Sequence, residues 1–70
     1  MTDAVIKELA VRKAEMEKEL ELLFETNMKI TDWDVPEGDD TEAADIILKI
    51  MDKKIQQLRE DVKNGKYKNY

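Results

Sequence analysis

Cysteine, histidine and serine are all absent from this 70-residue chain, which has only two glycines and one proline. Without cysteine or histidine there is no disulfide, no zinc-finger ligand set and no histidine base, and without serine there is no Ser-His-Asp triad. So few turn-forming residues also exclude a turn-rich β fold. We therefore expect a helical protein that is not an enzyme and that needs no cofactor.

Long apolar runs are also missing, since none exceeds three residues. A transmembrane helix needs about 20 consecutive apolar residues. The first residues carry neither the basic region nor the apolar region of a signal peptide. The sequence thus predicts a cytoplasmic protein that makes no membrane contact.

Charge and helix-forming side chains dominate what is present. Apolar residues make up 41% of the chain and charged residues another 41%, and 17 acidic against 12 basic side chains give a net charge of -5. This composition, rich in residues that favour helices, predicts one all-α domain over residues 1–70. The expected architecture is an antiparallel, coiled-coil-like helical hairpin.

The first helix is predicted from about residue 3 to residue 28, because neither glycine nor proline interrupts this segment. Two rows of heptad positions follow it. One row is Leu9, Met16, Leu23 and Ile30, and the other is Ile6, Lys13, Leu20 and Asn27. The polar members Lys13 and Asn27 leave two interpretations open. Lys13 reaches solvent and Asn27 lies at the helix end, or the pair fixes the register of packing.

The second helix is predicted from about residue 41 to residue 63. An uninterrupted heptad seam runs through Ala44, Leu48, Met51, Ile55, Leu58 and Val62. Asp39 or Thr41 is the expected N-cap, and the Asn64-Gly65 pair is a strong stop signal before a polar tail over residues 64–70.

The connector between the helices is predicted over residues 31–40. It contains Pro36, Gly38 and the single tryptophan, Trp33, among five acidic residues. Ten residues is long for a helical hairpin, where about 2–8 is usual. We expect Trp33 and Val35 to fold back over this end of the hairpin.

Three apolar residues lie away from the main stripes of the two helices: Leu22, Ile46 and Ile50. One pair of helices cannot cover them, and chains this short often gain stability by associating with themselves. We therefore expect a homodimer, or a higher oligomer, in the form of a four-helix bundle with these residues in the interface.

The charge layout suggests where a partner binds. Residues 15–42 hold eleven acidic and two basic side chains, whereas the rest of the chain holds six acidic and ten basic ones. Acidic groups around an aromatic side chain suit the basic surface of another protein. The predicted partner-binding residues are Asp32, Trp33, Asp34, Glu37, Asp39 and Asp40. The leading function is a non-enzymatic module that binds, inhibits or scaffolds another macromolecule.

Two alternatives remain open at this stage. The lysine-rich termini, which a hairpin brings together, suit a small nucleic-acid-binding or regulatory dimer, although the overall acidity disfavours nucleic acid as a partner. Glu42 and Asp45 form one ExxD pair, which is half of the acidic motif of some magnesium-dependent all-α phosphohydrolases. Small acidic hairpins also occur among secretion chaperones and phage or plasmid accessory proteins, and no residue pattern selects one of these groups.

Overall fold

A computed structural model describes residues 2–69, and it contains two α-helices. Helix α1 spans Thr2–Asp34 and helix α2 spans Asp40–Lys63. The five-residue connector between them, residues 35–39, turns the chain back so that α2 packs against α1. The expected all-α helical hairpin is confirmed for the described part of the chain.

Helix α1 runs six residues beyond the predicted end at Met28, so the ten-residue connector was wrong. Residues 29–34 contain neither glycine nor proline, and the helical hydrogen bonds continue as far as the Val35 amide, which donates to the Thr31 carbonyl at 2.8 Å. The helix ends here because proline disfavours helical geometry in the residue before it, and Pro36 follows Val35. The real connector has the usual length for a helical hairpin.

A tight turn and a side-chain cap start helix α2. The Gly38 amide donates to the Val35 carbonyl at 3.0 Å, with Pro36 second in the turn. A Cβ atom at Gly38 would lie 3.2 Å from that carbonyl oxygen, so a side chain there is tightly restricted. Asp39 is the N-cap, as predicted, and its carboxylate accepts a hydrogen bond from the Thr41 amide at 3.0 Å.

Helix α2 ends as the Asn64-Gly65 signal predicted. The Lys66 amide donates to the Asp61 carbonyl at 2.9 Å, and the Gly65 amide donates to the Val62 carbonyl at 3.0 Å. These two bonds define a Schellman motif, which needs a left-handed residue just after the cap. Gly65 supplies it with a φ of 83°, a value that glycine adopts without steric cost.

Packing between the helices is confined to the half of the hairpin nearest the connector. The half-buried residues of this seam are Phe24, Asn27, Met28 and Thr31 on α1 and Ala43, Ala44, Ile47 and Met51 on α2. Asn27 is therefore a mid-helix seam residue and not a helix end, and its amide donates to the Leu23 carbonyl at 2.8 Å.

The predicted α2 seam is consequently only partly correct. Ala44 and Met51 pack against α1, but Leu48, Ile55, Leu58 and Val62 remain 48%, 39%, 38% and 61% exposed. No residue is buried among those whose side chains are described. A single helix pair covers one stripe of each helix, and this pair covers that stripe over only half its length.

The chain is extended for its size. Its radius of gyration is 16.1 Å, against about 11 Å for a compact domain of 70 residues. Its accessible surface is 6627 Å², against about 4,500 Å² for a compact monomer of 8.2 kDa. About 2,100 Å² per chain is therefore exposed beyond what a compact fold would leave.

We predict that Asp39→Ala lowers the free energy of unfolding by about 1 kcal/mol, because it removes the N-cap of α2. Asp40→Ala removes the same charge one residue later and should cost about 0.5 kcal/mol or less. Urea unfolding followed by circular dichroism measures both. Asp39→Asn, which keeps a capping oxygen without the charge, should stay close to the unmutated chain. Equal losses in the two alanine variants would contradict the capping role.

Candidate interaction surfaces

The acidic end of the hairpin comprises Asp32, Trp33, Asp34, Glu37, Asp39 and Asp40. The structure brings all six together where α1 ends and α2 begins, although the first three belong to α1 and not to the connector. All six side chains are exposed. The predicted partner-binding residues therefore share one end of the molecule.

Trp33 points away from the body of the hairpin. It follows the half-buried Thr31 by two residues, which places it about 200° around the helix and on the side facing away from α2. Its side chain is 86% exposed, and Val35 is 45% exposed, so the expected folding of these two residues over the hairpin was wrong. Trp33 borders a shallow depression together with Lys29, Ile30 and Asp34.

Most carboxylates of the acidic end form no ion pair or hydrogen bond within the described part of the hairpin. Within residues 2–69, Asp32, Asp34, Glu37 and Asp40 form no ion pair. Asp39 is the exception, because its carboxylate caps α2. Asp32 and Asp34 lie about 100° to either side of Trp33 around the helix and are unpaired, while Lys29, one turn earlier, shares the depression beside the ring.

An exposed apolar row runs along α1. Its members are Leu9, Met16, Leu23 and Ile30, which are 45%, 40%, 53% and 52% exposed. The seam with α2 uses other residues of α1, centred on Phe24, Asn27 and Thr31. Of the other heptad row only Asn27 lies in the seam, and Ile6 and Leu20 are 60% and 48% exposed, so neither row packs along its length within the chain.

A groove on one side of the hairpin joins this row to α2. It is lined by Leu23, Asn27, Ile47, Ile50, Met51 and Lys54. Ile50 is 64% exposed, and Ile46, one helical turn before it, is 49% exposed. Leu23 and Ile50 thus border the same open groove, and Ile46 extends its apolar edge.

Leu22 does not join Ile46 and Ile50. It precedes Leu23 by about 100° around the helix and lies nearly opposite the seam with α2, where it is 49% exposed. Val11 lies on the same far side and is 82% exposed. The structure therefore separates the predicted interface residues into two faces, with Leu22 apart from the other two.

Basic residues gather at the opposite, open end of the hairpin, and some are already engaged locally. Arg12 Nε lies 3.8 Å from Glu15 Oε2, and Lys66 Nζ lies 3.7 Å from Asp61 Oδ2. Lys66 Nζ also lies 5.8 Å from the centre of the Tyr67 ring. Lys7, Lys13, Lys63 and Lys68 form no ion pair within residues 2–69, so this end also carries unpaired charge.

The ExxD pair on α2 is exposed, and one of its members is occupied. Asp45 Oδ2 forms an ion pair with Lys49 Nζ at 2.9 Å, and Glu42 lies one turn earlier. In the described part of the chain, no three acidic side chains gather in a way that would hold a metal ion.

No protein-family model, curated protein or solved structure matches this chain. Neither helix, over the residues that the structure describes, is long and apolar enough to cross a membrane.

We predict that Trp33, the only tryptophan, fluoresces like free tryptophan in water and is strongly quenched by acrylamide, because 86% of its side chain is exposed. Denaturation in urea should change the quenching constant little. A matched measurement on Ile47→Trp in a Trp33→Phe background, which puts the ring in the half-buried seam, should show much weaker quenching. Protection of Trp33 in the free protein would contradict its exposed placement.

Proposed function

We propose that this protein is a non-enzymatic interaction module, a homodimeric four-helix bundle whose acidic end binds a basic surface of another protein. The observation that carries this proposal is the exposed Trp33 flanked by unpaired carboxylates at one end of an incompletely packed hairpin. The proposal has two parts, self-association and partner binding, and each has its own support.

Exposed surface area supports self-association. The chain exposes about 2,100 Å² more than a compact monomer of its mass. Two copies that each covered this excess would bury about 4,000 Å² in total, within the range of obligate homodimers. The groove bordered by Leu23 and Ile50, with Ile46 at its edge, is the apolar surface that a second copy would cover.

Charge and geometry support partner binding at the acidic end. A tryptophan offers a large apolar area at little entropic cost, which makes it a frequent anchor of protein interfaces. The flanking carboxylates would speed association with a basic surface. Salt would screen this attraction, so association would slow as the salt concentration rises.

The acidic residues near Trp33 are also unfavourable for their own helix. Negative charge at a helix C-terminus opposes the helix dipole, at about 0.3–1 kcal/mol for each group. The last turn of α1 contains Asp32 and Asp34 and no basic residue. Stability alone would favour lysine or arginine there, so these carboxylates are better explained by binding.

We predict that Ile50→Glu shifts the protein from dimer to monomer, because it places a charge in the groove that the second copy covers. Its dimer dissociation constant should rise about 30-fold or more, the cost of losing one interface hot spot. Gln56→Glu introduces the same side chain on the exposed polar face of α2 and should leave the dimer intact. Sedimentation velocity over a concentration series measures both, and a monomeric unmutated chain at high micromolar concentration would refute self-association.

We predict that Asp32→Lys combined with Asp34→Lys weakens partner binding at least about tenfold without unfolding the protein, because it reverses the charge beside Trp33. Trp33→Ala should weaken binding as well. The partner is captured from lysate with the unmutated protein and identified by mass spectrometry, and its affinity for each variant is then measured, with circular dichroism as the folding check.

The matched control is Glu8→Lys combined with Glu60→Lys. It makes the same change in net charge at exposed positions of the open half. Loss of binding in both double variants would show that only net charge matters. Unchanged affinity in the Asp32 and Asp34 variant would move the site away from the acidic end, and loss on neutralising Lys63 and Lys66 would place it at the basic termini.

A further inference from the structure

The exposed row on α1 is long enough to pack along another helix. Leu9, Met16, Leu23 and Ile30 repeat every seven residues without interruption, and each is between 40% and 53% exposed. Over these 22 residues the row is about 32 Å long. A heptad row of this kind packs against another helix with a matching row, as in a coiled coil. The same row in a second copy of the chain is such a partner.

Charge is divided unequally along the hairpin. Residues 19–55, the half centred on Glu37 in the connector, hold eleven acidic and four basic side chains, a net charge of -7. The remaining residues, which form the open half, hold six acidic and eight basic side chains, a net charge of +2. Two copies packed with their connectors together would place the two strongly acidic halves side by side.

We infer that two copies pack antiparallel, with the α1 row of one against the α1 row of the other and the connectors at opposite ends of the dimer. This inference rests on the proposed homodimer and adds its alignment. Each acidic half then lies beside the open half of the other copy, which has a net positive charge. The two copies therefore attract each other electrostatically instead of repelling.

The antiparallel arrangement keeps the apolar row continuous. A two-fold axis crossing α1 midway between Leu9 and Ile30 sets Leu23 opposite the partner's Met16 and Ile30 opposite the partner's Leu9. One register therefore pairs the whole apolar row of α1 with the same row of the second copy.

The antiparallel alignment determines where the two copies of the proposed binding site lie. The two copies of Trp33 lie toward opposite ends of the dimer, about 40 Å apart along its axis in this register. A single protein surface cannot cover both. The dimer is therefore a bivalent connector that binds one basic partner at each end and holds the two partners apart.

Because the chain has no cysteine, Glu37→Cys places one spin label at the connector of each copy. Double electron–electron resonance should give a distance of about 50 Å between the two labels, the length of the hairpin. A distance within about 20 Å, as expected for connectors on adjacent helices, would overturn the antiparallel alignment while leaving the dimer itself intact. Gln56→Cys, near the middle of the bundle, should give a short distance and confirms that labelled dimers are present.

Leu23→Glu and Leu22→Glu test whether the α1 row is the contact. The two leucines are neighbours with similar exposure, 53% and 49%, but only Leu23 belongs to the row and borders the groove. Leu23→Glu should raise the dimer dissociation constant about 30-fold or more, and Leu22→Glu should change it less than about threefold. Equal effects would overturn the assigned face, and an unmutated chain that stays monomeric would overturn both the alignment and the homodimer on which it rests.

Discussion

One constraint governs this molecule: two helices can bury only one stripe of each other, and this sequence contains more apolar surface than that. The seam around Phe24, Asn27 and Met51 uses the half of the hairpin nearest the connector, and nothing in the described chain reaches the buried state. Some of the remaining apolar residues form a regular row on α1 and the edge of a groove, which is the pattern expected of a surface that another helix covers. Others, such as Val11 and Leu22, lie on the opposite side of α1.

The helix ends show what local sequence determines. Both ends of α2 could be predicted, because Asp39 caps the first turn and Asn64-Gly65 stops the last by interactions confined to a few neighbouring residues. The end of α1 could not be predicted as well. Acidic residues and a tryptophan led to the prediction of a loop over residues 31–34. Only Pro36 stops the helix sterically, so the helix continues to Asp34.

Some features of the surfaces could also be predicted from the sequence, and others could not. Clustering of charge at one end of the hairpin follows from the order of residues in the chain, so the acidic end could be predicted, and with it the set from Asp32 to Asp40. The direction of Trp33 and Val35 depends on whether the helix continues past Met28, and that prediction failed with the boundary. Which face of α1 meets α2 depends on tertiary packing: α2 contacts the side of Phe24, Asn27 and Thr31 and leaves the unbroken row of Leu23 exposed.

This choice has a physical reason in the seam itself. Asn27 and Thr31 satisfy their polar groups within α1, by hydrogen bonds of 2.8 Å to the carbonyls of Leu23 and Asn27, so they can face α2 without an unpaired donor. The seam that they form with Phe24 and Met28 is short, and the five-residue connector holds it in place. A contact between separate chains has no connector, and its alignment must come from side chains alone. The unbroken row and the unequal charge of the two halves are the features that supply such an alignment, which is why we assign them to the second copy rather than to the hairpin.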